Sequence, residues 1–311
     1  MREGLPGTGG AKSPAFAASS VREHLAGYWA VTKPRIVALI VFTALVGMLV
    51  SVAGTPSPLR ILMACLGIGL AAAGAAAFNH LLDRRLDALM RRTEARPLPS
   101  GRLSPLEVLL TGIGLSALGT VLLWFRIGPL TAVLTFASLV GYAVVYTSFL
   151  KRLTPQNIVI GGAAGAAPPV LGWVAMTGHI APEALVLFLL IFVWTPPHFW
   201  ALALNRRGDY EKAGVPMLPV THGVEVTARS VFLYTILLAL VSLLPVVLGA
   251  AGLLYLLVAL VLDAGFLVRA YTLWREPHSA ARAQVTFRFS IRYLAFLFLA
   301  LLVDHYLALV R

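Results

Sequence analysis

Residues 61–87 read ILMACLGIGLAAAGAAAFNHLLDRRLD. From Ile61 to Phe78 no side chain is charged, close to the roughly 20 apolar residues an α-helix needs to cross a bilayer. The run then ends in an amide, an imidazole, two carboxylates and two guanidinium groups. Eight other apolar runs of similar length lie along the chain. The nine fall at about 36–54, 59–82, 106–125, 129–149, 157–177, 182–204, 229–250, 252–274 and 289–309. They are continuous rather than alternating, which argues against a membrane β-barrel. Apolar residues make up 59% of the 311 and charged residues 12%, against roughly 45–50% and about 25% in soluble domains. So few charges cannot clothe a soluble surface. The expected fold is an all-α bundle of nine transmembrane helices in the lipid bilayer.

The net charge of +12 would suggest nucleic acid in a soluble protein. Its distribution points elsewhere. Of 25 Lys and Arg residues, 22 fall in the N-terminal segment and every second connection, and Arg60, Arg126 and Arg311 fall on the other side. Cytoplasmic loops carry such an excess. The N-terminus is therefore expected in the cytoplasm and the C-terminus outside, with no nucleic-acid partner. Residues 1–27 read as a flexible cytoplasmic tail and 28–311 as the membrane domain. The tail has no Arg-rich amphipathic presequence, which favours a bacterial inner membrane. The one cysteine, Cys65, excludes an intramolecular disulfide and a Cys-based metal cluster.

Five aspartates exist, and two of them lie four apart with an amide one turn earlier: Asn79, Asp83 and Asp87. On a helix they share one face, about 5–6 Å between successive Cβ atoms. Two carboxylates and an amide offer hard oxygen ligands, and magnesium takes one or two carboxylates plus phosphate oxygens and water. The negative end of the helix dipole favours a cation and repels a bare phosphate. A magnesium–diphosphate complex fits such a site. A solvated helix end, with Asp83 and Asp87 paired to Arg84, Arg91 or Arg92, fits the same spacing. A second acidic island, Asn205-Arg206-Arg207-Gly208-Asp209-Tyr210-Glu211-Lys212, falls on the same side of the membrane. The cations beside the two islands can grip free phosphate oxygens. Lys151 and Arg152, closing the fourth span, are candidates for this, or else simple topology anchors.

Within the sixth span, Thr195-Pro196-Pro197-His198-Phe199-Trp200 contains two residues that break a helix ladder, tolerated in a membrane where protein or water re-satisfies the backbone. His198 is expected to face an interior cavity or to hydrogen-bond across helices. The stretch from Gly161 to Pro169 has almost no side chains. It suits close helix packing or a flat wall for a large ligand. Asp263, inside the eighth span, is a functional candidate by default unless Arg269 or His305 neutralises it.

Asn79-x3-Asp83-x3-Asp87, followed by Arg96-Pro97-Leu98-Pro99-Ser100-Gly101, resembles the first signature of the UbiA superfamily of membrane prenyltransferases, and nine spans agree with it. Four further strings resemble the branch of that superfamily acting on haem. They are Thr32-Lys33-Pro34-Arg35, Lys151-Arg152-x-Thr154-Pro155-Gln156-Asn157, Trp194–Ala203, and Asp209-Tyr210-x2-Ala213-Gly214-Val215-Pro216. Gly208 departs from the pattern, where another acid is common. The resemblance implies a UbiA-type bundle that binds farnesyl diphosphate with Mg2+ at Asp83, Asp87 and Asp209. Asn79 belongs to the same catalytic set, and Arg84, Arg96, Lys151, Arg152 and Arg206 hold the substrate. It further implies transfer of farnesyl to a vinyl group of haem B with water addition, giving haem O for a terminal oxidase or a haem A synthase. Haem iron takes a neutral imidazole, and His198 and His80 are the histidines beside this chemistry. Trp194, Phe199, Trp200 or Tyr146 are faces for an allylic cation. The rival readings are a UbiA-type enzyme acting on a quinone precursor or chlorin, a transporter of haem or another small molecule, and a non-catalytic haem carrier.

Overall fold

Proline stands in the first turn of half of the helices among the described residues, where its missing N–H is no loss. In the computed structural model the described residues are 21–54, 56–90 and 92–310, excluding the side chains of Arg152 and Val310. They form α1 (Val21–Val31), α2 (Pro34–Val50), α3 (Pro58–Leu89), α4 (Pro105–Arg126) and α5 (Pro129–Val140). A π-helix, Gly141–Leu150, prolongs α5 and runs into α6 (Lys151–Leu153). Then come α7 (Asn157–Ala166), α8 (Pro168–Thr177), α9 (Pro182–Asn205), α10 (Arg207–Lys212) and α11 (Leu218–Thr221). The chain closes with α12 (Gly223–Ser242), α13 (Leu244–Val247), α14 (Leu253–Arg275) and α15 (Ala280–Val310).

The described residues are all-α, with eight helices, single or joined, long and apolar enough to cross a membrane. A ninth span arises if α1 and α2, bent by 40° at their junction, count as one. Most expected spans match within a few residues. The exceptions are informative. α3 runs to Leu89, two turns past the apolar run, and so carries Asp83 and Asp87 on regular helix. α12 and α15 start earlier than expected, at Gly223 and Ala280. The segment read as a tail is helical from Val21 onward; residues 1–20 lie outside the described residues.

Small residues let the helices approach. Along α2 and α8, Gly47 faces the Pro169 carbonyl and Gly172 faces that of Ala44, too close for any side chain. Between α3 and α4, Gly74 and Gly119 likewise come too close to the Gly112 and Gly67 carbonyls for a side chain, and Gly67 receives the Leu123 side chain. With lipid outside as apolar as the core, such backbone proximity supplies dispersion that a hydrophobic drive cannot. α9 lies at the centre, burying residues around its circumference from Leu190 to Ala201. Its proline pair does not interrupt it, contrary to the expected break. The helix is continuous from Pro182 to Asn205, with the Thr195 hydroxyl donating to the Ile191 carbonyl at 2.7 Å.

Asp263 proves to be a structural clamp. Its carboxylate accepts from the Tyr293 hydroxyl at 2.7 Å and the Ser242 hydroxyl at 2.7 Å, tying α12, α14 and α15. Neither expected neutraliser reaches it. Arg269 lies 4.0 Å over the Phe289 ring and donates to Gly265, and His305 bonds the Val52 carbonyl. Asp304 accepts from the backbone N–H groups of Gly252 and Tyr255, capping α14 from another helix.

Candidate active site

The C-terminal third of α3 presents Asn79, His80, Asp83 and Asp87 toward the interior, each at most 5% exposed. Buried carboxylates need partners, and connections on the same end of the bundle supply them. Lys151, just past the π-helix, donates to Asp83 Oδ2 at 2.6 Å. Arg96, from the α3–α4 connection, spans both Asp87 oxygens at 2.9 and 2.7 Å. The Asn79 amide N–H2 donates to Asp83 Oδ2 at 3.0 Å and to the Thr147 hydroxyl at 3.2 Å. Lys33 donates to the Asn79 carbonyl oxygen.

Lys33 occupies the break between α1 and α2, outside both helices, with φ 48°. It is the one non-glycine residue with positive φ among those described. That conformation is strained, and such strain gathers at functional sites. Burial pushes its ammonium down to about 7; Arg96 and Lys151 add to this, while Asp83 and Asp87 oppose it.

Lys33 and Tyr142 also belong to the wall of an apolar cavity of about 260 Å³. The cavity lies between α2, α3, α5, α7, α8 and α9, past Ala71, Ala75, Ala164, Gly165 and Trp194. A polar cluster thus caps a deep apolar hole. The glycine-rich stretch packs closely along part of its length and borders the cavity along another. Gly161 packs on the Tyr146 ring and Gly162 on Thr195, whereas Gly165 meets only open space.

The second acidic island approaches the same end. Burial pushes the Tyr210 phenol up, with Asp209 adding and Arg92, Arg206 and Arg96 opposing, so these groups share one electrostatic neighbourhood. Asp209 is half-buried and Arg206 exposed. Among the described residues no three His, Cys, Asp or Glu side chains gather closely enough to hold a metal by themselves. Asp83, Asp87 and Asp209 therefore form no protein-only metal cage. Arg84 is exposed and donates to the Leu81 carbonyl at 3.3 Å. The Arg152 side chain lies outside the described residues.

His198 stacks between Trp194, at 4.2 Å between ring centres, and Phe287, at 4.8 Å. Its Nδ1 lies 2.7 Å from the Ser290 hydroxyl oxygen. That hydroxyl gives its one proton to the Phe287 carbonyl, so His198 Nδ1–H donates and Nε2 keeps its lone pair. The cross-helix bond is thus present, and His198 belongs to the layer behind Trp194 and Phe199, which line the cavity.

The sequence reading missed Lys33 as a site residue, although a lysine before a helix-opening proline on the correct side was a usable signal. It also missed Thr147 and Tyr142. These are five apart, and the π-helical turn lets the Thr147 hydroxyl reach the Tyr142 carbonyl at 2.8 Å; an α-helical reading of the span hides this.

Comparison with known proteins places this arrangement. Residues 40–301 match the model of the UbiA prenyltransferase family. The protoheme IX farnesyltransferase of Polaromonas naphthalenivorans is 56% identical over 300 residues, covering 95% of this chain and 98% of the relative. That of Thioalkalivibrio sulfidiphilus is 57% identical over 279 residues, covering 90% and 92%. Among solved structures, one concerning digeranylgeranylglyceryl phosphate synthase superimposes with a TM-score of 0.76 at 22% identity, covering 91% of this chain and 99% of that one. A UbiA homologue from Archaeoglobus fulgidus, bound to DMAPP and Mg2+, gives 0.63 at 18% identity, covering 88% and 98%. The capped apolar cavity, the paired aspartates on α3 and these matches agree: the chain belongs to the UbiA prenyltransferase family.

Proposed function

We propose that this protein transfers the farnesyl group of farnesyl diphosphate to a vinyl group of haem B and adds water, giving haem O. The observation that carries the reading is the junction of Lys33, Asn79 and Asp83 with the mouth of the apolar cavity. A charged head and a long hydrocarbon tail need such a pair of environments side by side. The choice of haem as acceptor rests on the relatives' name.

The residues fit a magnesium–diphosphate. Asp83 Oδ1 is buried without a hydrogen-bond partner, leaving a carboxylate oxygen for a hard cation. Asp83 and Asp87 would hold Mg2+, joined by Asp209 of α10, and the ion would neutralise charge developing on the leaving diphosphate. Lys151 and Arg96 bring positive charge to the same place, and Lys33 an ammonium that a bound diphosphate would keep protonated, which stabilises that group as the C–O bond breaks. The vinyl carbon of haem forms the new bond to farnesyl C1. Water then adds its oxygen to the resulting haem cation and releases a proton. The apolar wall keeps other water from the allylic cation. His198, with its tautomer set by Ser290, offers Nε2 to haem iron. The cation-rich connections motivate an inner-membrane enzyme whose active site opens to the cytoplasm, with a terminal oxidase or a haem A synthase downstream.

The test is direct. Purified protein is incubated with haem B, farnesyl diphosphate and Mg2+, and the haem is analysed by mass spectrometry. The expected product has gained the elements of one farnesol. An unchanged haem, or prenylation of a quinone precursor instead, would overturn the reading.

A further inference from the structure

One group on the α3 face has no task in this scheme. At 100° per residue, Asn79, Asp83, Asp87 and His80 fall in that angular order within an arc of about 100°. Three of the four are engaged, Asn79 with Lys33 and Thr147, Asp83 with Lys151, and Asp87 with Arg96. His80 is 3% exposed, and neither ring nitrogen has a partner. Buried polar atoms are nearly always paired, so an imidazole with two idle nitrogens implies that its partner arrives with a ligand. The cations acting on it are Lys33 and Arg96. A ligand atom that pairs with this buried imidazole, in a cluster where Lys33 and Arg96 already bind Asn79 and Asp87, is best an anionic oxygen.

The geometry points to His80 as a hydrogen-bond donor to the leaving diphosphate: a ring N–H of His80 reaches a phosphate oxygen that Lys33 and Arg96 also hold. This rests on the prenyl diphosphate reading above. It removes His80 from the haem and leaves that role to His198. The imidazole acts as a neutral donor, and no proton changes hands. Its idleness without ligand also has a consequence for the fold. Removing an unpaired buried polar group forfeits no hydrogen bond, so His80→Phe, which fills the volume without polar atoms, is expected to melt no lower than the unaltered protein when both lack ligand, whereas His80→Ala also leaves a cavity.

The experiment is calorimetric titration of detergent-purified protein with farnesyl thiolodiphosphate and Mg2+, which binds without reacting. His80→Ala is expected to raise Kd roughly tenfold or more, the worth of one charge-assisted hydrogen bond. His80→Gln retains a side-chain N–H and is expected to stay within about threefold of the unaltered protein. Haem B titration read at the Soret band is expected to be the same in all three. If His80→Ala does not fold, His80→Phe takes its place, filling the volume without a donor. A donor-less variant that binds thiolodiphosphate as tightly as the unaltered protein overturns the proposal. So does one that alters the Soret band while leaving thiolodiphosphate binding intact. If the unaltered protein fails to bind thiolodiphosphate, the parent reading falls and this one falls with it.

Discussion

Asp83 and Asp263 show how two buried carboxylates in one membrane protein come to differ. Asp83 receives an ammonium and an amide and keeps one oxygen idle. Asp263 receives two hydroxyls and has both oxygens engaged. The first is poised for a ligand, the second is complete. Asp83→Asn keeps size and removes charge, and turnover is expected to drop on the order of 10²–10³ with haem binding unchanged; near-normal product formation would return Asp83 to the role of a mere helix end. Asp263→Leu strands the Tyr293 and Ser242 hydroxyls, at about 1–3 kcal/mol for each unsatisfied donor. Thermal unfolding in detergent is expected to register that loss while the KM for farnesyl diphosphate stays put. A KM that rises steeply with stability intact would make Asp263 part of the site after all. The spacing of Asn79, Asp83 and Asp87 exposed this face in the sequence. The partners were not legible, because Lys33 and Lys151 lie 46 and 68 residues from the groups they bind, and Arg96 reaches back nine residues from an irregular connection.

The glycines of α7 and α8 look alike in sequence and do different work. Gly172 touches the backbone of α2, and Gly165 faces the cavity. Gly172→Leu has no space to enter and is expected to cost about 3 kcal/mol or more through overpacking, seen as lost thermal stability or failed expression. Gly165→Leu has space, and fills room meant for the hydrocarbon tail. It is expected to leave the melting temperature within a few degrees and raise the KM for farnesyl diphosphate roughly tenfold, a few buried methylenes' worth of binding. Equal behaviour of the two variants would mean that the cavity is not where the chain lies. The π-helix after α5 acts at the same scale. Its wider turn, with Tyr142 and Thr147 five residues apart, joins the cavity wall to the Asn79 amide.

Across the whole molecule, the connections richest in Lys and Arg meet at one end. Arg96 precedes α4, Lys151 precedes α7, Arg206 follows α9, and Arg96 and Arg206 both act on Tyr210. The positive-inside rule is the ground for proposing that this end faces the cytoplasm. Single cysteines placed at Lys212 and Ser279 in a Cys65→Ser background are expected to resist impermeant maleimide in intact cells and to react in inverted membranes. A cysteine at Gly249, in the opposite connection, is expected to do the reverse. Labelling of Lys212 or Ser279 positions from outside would invert the topology and move the site to the other face.

The sequence by itself determined the membrane class, the number of apolar runs and the acidic face of α3. Each depends on local quantities: mean polarity over about 20 residues, the sign of charge in each connection and helical spacing. Tertiary structure decided which cation meets which carboxylate, that Arg84 is exposed and bonds the Leu81 carbonyl, that Asp263 is satisfied by hydroxyls rather than by Arg269, and that the prolines of α9 leave it whole. These outcomes depend on which helices become neighbours. Packing sets that through close approaches such as Gly47 to Pro169 and Gly172 to Ala44, where a whole interface must fit before any one contact forms.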